Sequence, residues 1–192
     1  QLERLKTANI PLTICVDKMA ASGGYMMAVV ADRILAAPFA VIGSIGVVCQ
    51  IPNFNRLLDK NSIDYEQITA GEYKRTLTVF GKNTEEGREK MQEDINLTHD
   101  LFKLHIQSKR QQVNIDQVST GEHWYASQAI EMKLIDELQT SDDYLLSLKE
   151  DHQLIRIHYA MKTPKLKQIC GQAAQLITQH TSLPLLLKKY KG

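Results

Sequence analysis

No run of eighteen apolar residues occurs in this chain of 192. The most hydrophobic part, residues 25–48, is broken by Asp32, Arg33 and Pro38, so it cannot form a membrane-spanning helix. Cysteine is scarce. Cys15, Cys49 and Cys170 make an odd count that cannot all pair within the chain, and none has metal-ligand spacing. Cys15 and Cys49 lie in apolar runs and read as small buried hydrophobes. Charge of one sign is also lacking: the net charge is +1, and the aromatic residues, 6% of the chain, are not interleaved with basic clusters, which argues against a nucleic-acid partner. There is no internal repeat and no low-complexity tract. No initiating methionine is present either. The chain opens at Gln1 inside a helix-like segment and reads as part of something longer, with any membrane anchor expected upstream. The six histidines begin only at His99, after the strand-rich part, and none accompanies an aspartate in a recognisable pattern, so a Ser-His-Asp triad is disfavoured.

What is present is the composition of one α/β domain with a substantial core, 43% hydrophobic and 23% charged. Residues 2–7 read as a helix end. Residues 12–16 form a continuous apolar run with β-branched residues, the pattern of a parallel strand covered on both faces. A short turn, a helix over 25–31, and strands over 33–37 and 40–48 follow, the last two separated by Pro38. Residues 53–60 read as a short helix, 64–69 as a strand and 76–80 as extended chain. A long helix spans 84–110, capped by Thr84 with acidic residues in its first turn, its apolar face large enough to suggest self-association. Residues 114–119 are a connection, 121–125 lead into a helix over 126–132, 142–149 form a helix and 154–159 a strand. An amphipathic helix over 166–178 reads as packing on its own or a neighbouring subunit in preference to lying on a membrane surface, because its charges are few. The domain reading is residues 1–160 followed by a helical extension, 161–192.

The chemistry points to Ala20-Ala21-Ser22-Gly23-Gly24-Tyr25. A serine between a strand and a helix stands near the positive end of that helix, and the glycines allow a bound carbonyl to approach the backbone. Ser22 is thus either a nucleophile or a simple N-cap, and this stretch alone leaves both open.

Three motifs, in order and in spacing, carry a resemblance: Val16 to Tyr25, then Ile42-Gly43-Ser44-Ile45-Gly46-Val47, then Gly71-Glu72-Tyr73-Lys74. Together they resemble the catalytic half of the signal peptide peptidase family of serine-lysine peptidases, and its inner-membrane members most closely. The likeness covers the first two-thirds of the chain well. It implies a crotonase/ClpP-like α/β spiral with parallel strands and flanking helices. The implied activity is cleavage of signal peptides or other short hydrophobic peptides through an acyl-enzyme, with neither cofactor nor metal. The resemblance makes Ser22 the nucleophile, Lys74 the general base, Ser44 the group that orients the lysine and Gly23 an oxyanion donor. It also implies a homo-oligomer at the bacterial inner membrane, with the peptidase domain on the periplasmic side.

A lysine can serve as base only if it is held neutral, away from water and carboxylates. Tyr73, Leu77 and Val79 are the apolar cover expected for Lys74, whereas composition alone would leave it a solvated loop residue. Lys18 is a rival by proximity, but Asp17 beside it would keep it charged. The second oxyanion donor of such enzymes comes from a glycine turn expected just upstream of Gln1, so the chain as it stands is expected to turn over weakly or not at all. The family helix that ends in glycine has Ala129 in place but Lys133 at the glycine position. Two other functions fit the same fold: a crotonase-type acyl-CoA hydratase or isomerase, for which no paired glutamates are visible, and a non-catalytic scaffold.

Overall fold

The computed structural model describes residues 1–159. Its elements run α1 (Leu2–Thr7), β1 (Thr13–Val16), β2 (Met19–Ala21), α2 (Gly23–Ala28), β3 (Arg33–Ala36), β4 (Val41–Gly43), α3 (Asn55–Lys60), α4 (Glu85–Lys109), α5 (Ile115–Val118), β5 (His123–Tyr125), α6 (Ala126–Ala129), β6 (Glu137–Leu138) and α7 (Ser141–Leu148). The chain divides into a unit Gln1–His152 and a second one beginning at Gln153, whose described residues carry no helix or strand.

Two three-stranded sheets organise the first unit. One has the order β1-β3-β6 and is parallel throughout; the other has the order β2-β4-β5, with β2 and β4 parallel and β5 antiparallel. The apolar run of β3 explains its central place: Ile34, Leu35 and Ala36 are fully buried, as a strand covered on both faces requires. Helix α2 packs its Tyr25 and Ala28 into the same core. The Tyr25 hydroxyl donates to the Leu134 carbonyl at 2.8 Å, and burial raises the phenol pKa well above its usual range.

Helix α4 is 25 residues long, and the Thr84 side chain accepts from the Gly87 N–H at its start. It buries Phe102 and Ile106 and leaves Leu97, Leu101 and Leu104 exposed on another face. Just past its end stands Arg110, only 3% exposed. Its guanidinium donates to both carboxylate oxygens of Asp136, at 3.0 and 2.9 Å, and to the Lys133 carbonyl at 3.2 and 2.8 Å. Asp136 also accepts from the Ile34 N–H at 2.7 Å. Burial alone would raise the Asp136 pKa, but the hydrogen bonds from Arg110 and Ile34 outweigh it and hold the carboxyl below its ordinary value.

Lys133 has φ +61°, the left-handed conformation that favours glycine. Leu134 N–H bonds back to the Ala129 carbonyl and Lys133 N–H to that of Ile130, which is a Schellman helix end with Lys133 in the glycine role. The turn therefore forms although the glycine is missing, with Arg110 holding the Lys133 carbonyl in place.

Several expectations need correction. The strand over 40–48 is only Val41–Gly43, because Gly43 and Ser44 both take positive φ and turn the chain. Met19–Ala21 and His123–Tyr125 are strands rather than a turn and a helix lead-in; each is short and gains its hydrogen bonds from β4, a partner distant in sequence. Residues 64–69 and 154–159 alternate in hydrophobicity but pair with nothing among the described residues, and Ile68, Ile155 and Ile157 stand exposed. Residues 114–119 contain a helical turn, α5. Cys49 is exposed and Cys15 half-buried, so neither is a fully buried hydrophobe. Cys170 and the helix over 166–178 lie outside the described residues, as does all of the 161–192 extension.

Candidate active site

The site begins with the pairing of β2 and β4. Ala21 lies opposite Gly43, and the next N–H, that of Ser22, donates to the Gly43 carbonyl at 2.8 Å. The chain must then reverse from strand into helix within one residue. Ser22 absorbs that change at φ +52°, ψ −119°, a strained conformation for any residue with a Cβ. Its carbonyl accepts from Met26 N–H, but its side chain makes no capping hydrogen bond. Ser22 is therefore not an ordinary N-cap: the backbone starts α2 while the hydroxyl is left exposed. A Cβ placed on Gly23 or Gly24 would meet nothing within 4 Å, so these glycines are not demanded by packing; they leave the approach to the first turn open.

Ser44 is positioned by the neighbouring loop. Its N–H donates to the Glu122 carbonyl at 2.6 Å, and Gly121 N–H donates to the Ile45 carbonyl at 3.1 Å. Close approach explains the glycines here: a Cβ on Gly43 would lie 2.9 Å from the Trp124 ring, and one on Gly46 the same distance from Gly121 Cα.

Ser22, Gly23 and Ser44 line one cavity of about 740 Å³, with apolar wall from Met26, Val47 and Val48 and, on α4, Ile95 and Phe102. His99 lines it too, with Nε2 3.2 Å from the Ile45 carbonyl. A carbonyl can only accept, so Nε2 carries the hydrogen of this bond. The sequence reading passed over His99; the signal that could have found it is the spacing of Ile95, His99 and Phe102 along one helix face.

Lys74 is not among the residues lining this cavity. It sits on an exposed turn closed by its N–H to the Gly71 carbonyl at 3.2 Å, with Gly71 at φ +96°. Among the described residues Lys74 stands exposed, and Tyr73 gives it little cover: it is 58% exposed, with its ring 5.7 Å from Lys90 Nζ. Leu77, three residues beyond Lys74, lines a second cavity that adjoins this one at Gln92 and Ile95. Lys18 is exposed, and neighbouring Asp17 is taken up by the N–H and hydroxyl of Ser141, whose hydrogen bonds lower its pKa. Among the described residues there is no cluster of three His, Cys, Asp or Glu able to hold a metal, and no helix long and apolar enough to cross a membrane.

Two small sheets with parallel pairs, flanked by helices, and one strained serine at a strand-to-helix turn above an apolar cavity define an α/β chain built around a presented hydroxyl. Residues 4–155 match the model of peptidase family S49, and the chain belongs to that family. It is 52% identical over 175 residues to "Probable protease SohB" of Haemophilus influenzae, covering 91% of this chain and 50% of that protein. The protein of the same name from Buchnera aphidicola subsp. Schlechtendalia chinensis is 64% identical over 147 residues, covering 77% of this chain and 48% of the relative. "Protease 4" of H. influenzae is 29% identical over 141 residues, covering 72% and 23%. The chain thus spans about half the length of the SohB relatives it matches. Among solved structures, a "1510-N membrane-bound stomatin-specific protease" mutant with a substrate peptide aligns at TM-score 0.44 and 15% identity, covering 90% of this chain and 74% of that one. An enoyl-CoA hydratase/isomerase family member aligns at TM-score 0.35 and 18% identity, covering 78% and 42%.

Proposed function

We propose that this chain is the catalytic part of a membrane-associated serine endopeptidase that cleaves signal peptides or other short hydrophobic peptides with a Ser-Lys dyad. The observation that carries the reading is the Ser22 hydroxyl: it is held at positive φ, it caps no helix, and it opens into an apolar cavity. Strain of this kind persists only where surrounding structure over-determines it, and here β4 and α2 do so. In the proposed reaction Ser22 Oγ attacks the scissile carbonyl as its proton passes to the neutral amine of Lys74. The oxyanion is met by Gly23 N–H, one of the first-turn amides of α2 that have no intrahelical acceptor. Collapse expels the amine, which takes the proton from Lys74, and water then hydrolyses the acyl-enzyme by the same route. Ser44 orients the lysine.

Because Lys74 does not line the cavity that Ser22 opens into, Lys74 acts on the Ser22 of a neighbouring copy in this reading, and the working unit is a homo-oligomer. The membrane in question is the bacterial inner membrane, with the domain on its periplasmic side. The test uses the full-length protein that contains this chain. A fluorophosphonate should label Ser22, and labelling should fall at least a hundredfold in Lys74→Ala while surviving in His99→Gln and His123→Ala. Labelling that depends on His99 and not on Lys74 would overturn the dyad.

A further inference from the structure

A second cavity of about 610 Å³ adjoins the first and shares Gln92 and Ile95 with it, so the two form one cleft along α4. Its character is different. Arg56, Lys82 and Arg88 line it, and no aspartate or glutamate does. Among the described residues Arg56 and Lys82 pair with no carboxylate, and Arg88 reaches only Glu85, at 3.7 Å in an exposed i,i+3 pair that holds it weakly. The loop carrying Lys82 is built, not slack: Asn53 donates to the Thr78 and Gly81 carbonyls at 2.9 and 3.0 Å, and Asn83 accepts from Thr78 N–H at 2.8 Å. These bonds fix the loop against the start of α3, next to Arg56.

Resting on the peptidase reading above, we infer that this basic end of the cleft binds a carboxylate of the peptide substrate, from an acidic side chain or the C-terminus. The spacing follows from geometry. Between the level of Ile95 or His99, beside Ser22, and Arg88 the helix rises roughly 10–16 Å, which an extended peptide spans in about three to five residues. The substrate class is therefore an apolar segment at the scissile bond with a negative charge three to five residues away. The apolar wall recognises the first part and the cations recognise the second, mostly through encounter and selectivity.

The experiment measures kcat/KM of the full-length protein on apolar peptides carrying alanine, glutamate or lysine at each position three to five residues from the scissile bond, on either side, and with a free or amidated C-terminus. Glutamate or the free carboxylate at one position should raise kcat/KM about three- to tenfold over its neutral counterpart, chiefly through KM, and the gain should shrink in high salt. Arg88→Glu combined with Lys82→Glu should reverse the preference toward the lysine peptide, a rescue that a merely structural role would not give. Fluorophosphonate labelling of Ser22 and turnover of the neutral peptide should stay unchanged in that variant; loss of both in the wild type would count against the peptidase reading itself. Absence of any charge preference overturns the inference. So does a preference unmoved by charge reversal, or a double variant whose only defect is weaker binding to vesicles of phosphatidylglycerol, which would assign the cations to lipid.

Discussion

At the scale of single residues, Ser22 and Lys133 occupy positions that a glycine would fill without strain, for opposite reasons. Ser22→Gly should raise stability by about 1 kcal/mol relative to Ser22→Ala, because only glycine relieves the positive φ, while both variants lose fluorophosphonate labelling; matched urea melts check this. Lys133 contributes its backbone N–H and carbonyl, which glycine also supplies, so Lys133→Gly should stabilise the chain by about 1 kcal/mol and leave labelling of Ser22 intact. Such positions were half legible. The run of Ser22, Gly23 and Gly24 announced a special turn, but a sequence does not print φ, and an N-cap serine has the same letters. Lys133 looked like a broken helix stop because the Arg110 guanidinium that supports its carbonyl comes from another helix end 23 positions away.

At the scale of elements, the joint between α4 and β6 is the Arg110–Asp136 pair. Removing one partner of a buried pair strands the other. Arg110→Met should therefore cost about 3 kcal/mol, the low end of the usual range because the Asp136 side chain is 30% exposed. The pH dependence follows from the depressed Asp136 pKa. A carboxyl whose folded pKa lies below its unfolded value stabilises the protein above about pH 4 and loses that contribution as pH falls through the folded value. Wild type should thus lose more stability between pH 5 and acid than Asp136→Asn, as read by thermal melts across that range. The crossing of β4 and β5 is a second joint: Gly43→Ala combines φ +103° with a 2.9 Å contact to Trp124, and should cost about 2–3 kcal/mol in the same melts. Long or uniformly apolar elements, α4 and the β1 and β3 pair, were readable because periodicity alone defines them. The strands β2, β5 and β6 are three, three and two residues long and have no period to read; their partners create them.

At the scale of the whole molecule, the cleft along α4 holds the Ser22 hydroxyl, and Lys74 is not among the residues that line it. If the dyad closes between copies, mixing inactive Ser22→Ala and Lys74→Ala proteins should restore activity to about a quarter of wild type, since one interface in four then carries both intact groups. No recovery after subunit exchange would mean that the turn swings within one chain. The motif spacing put Ser22, Ser44 and Lys74 on one list. What it could not convey is which of them a single chain brings together, because that depends on which face of a 25-residue helix each loop approaches.

The bond from Tyr25 to Leu134 joins positions 109 apart, and Asp17 waits for Ser141 across a still longer interval. On a ribosome adding about 5–20 residues each second, the nascent segment around the serine must stay open for roughly 5–20 s before the partners that seat it have been synthesised. Throughout that interval the growing chain has no rigid elbow and no finished cleft, and its emerging apolar strands stand exposed.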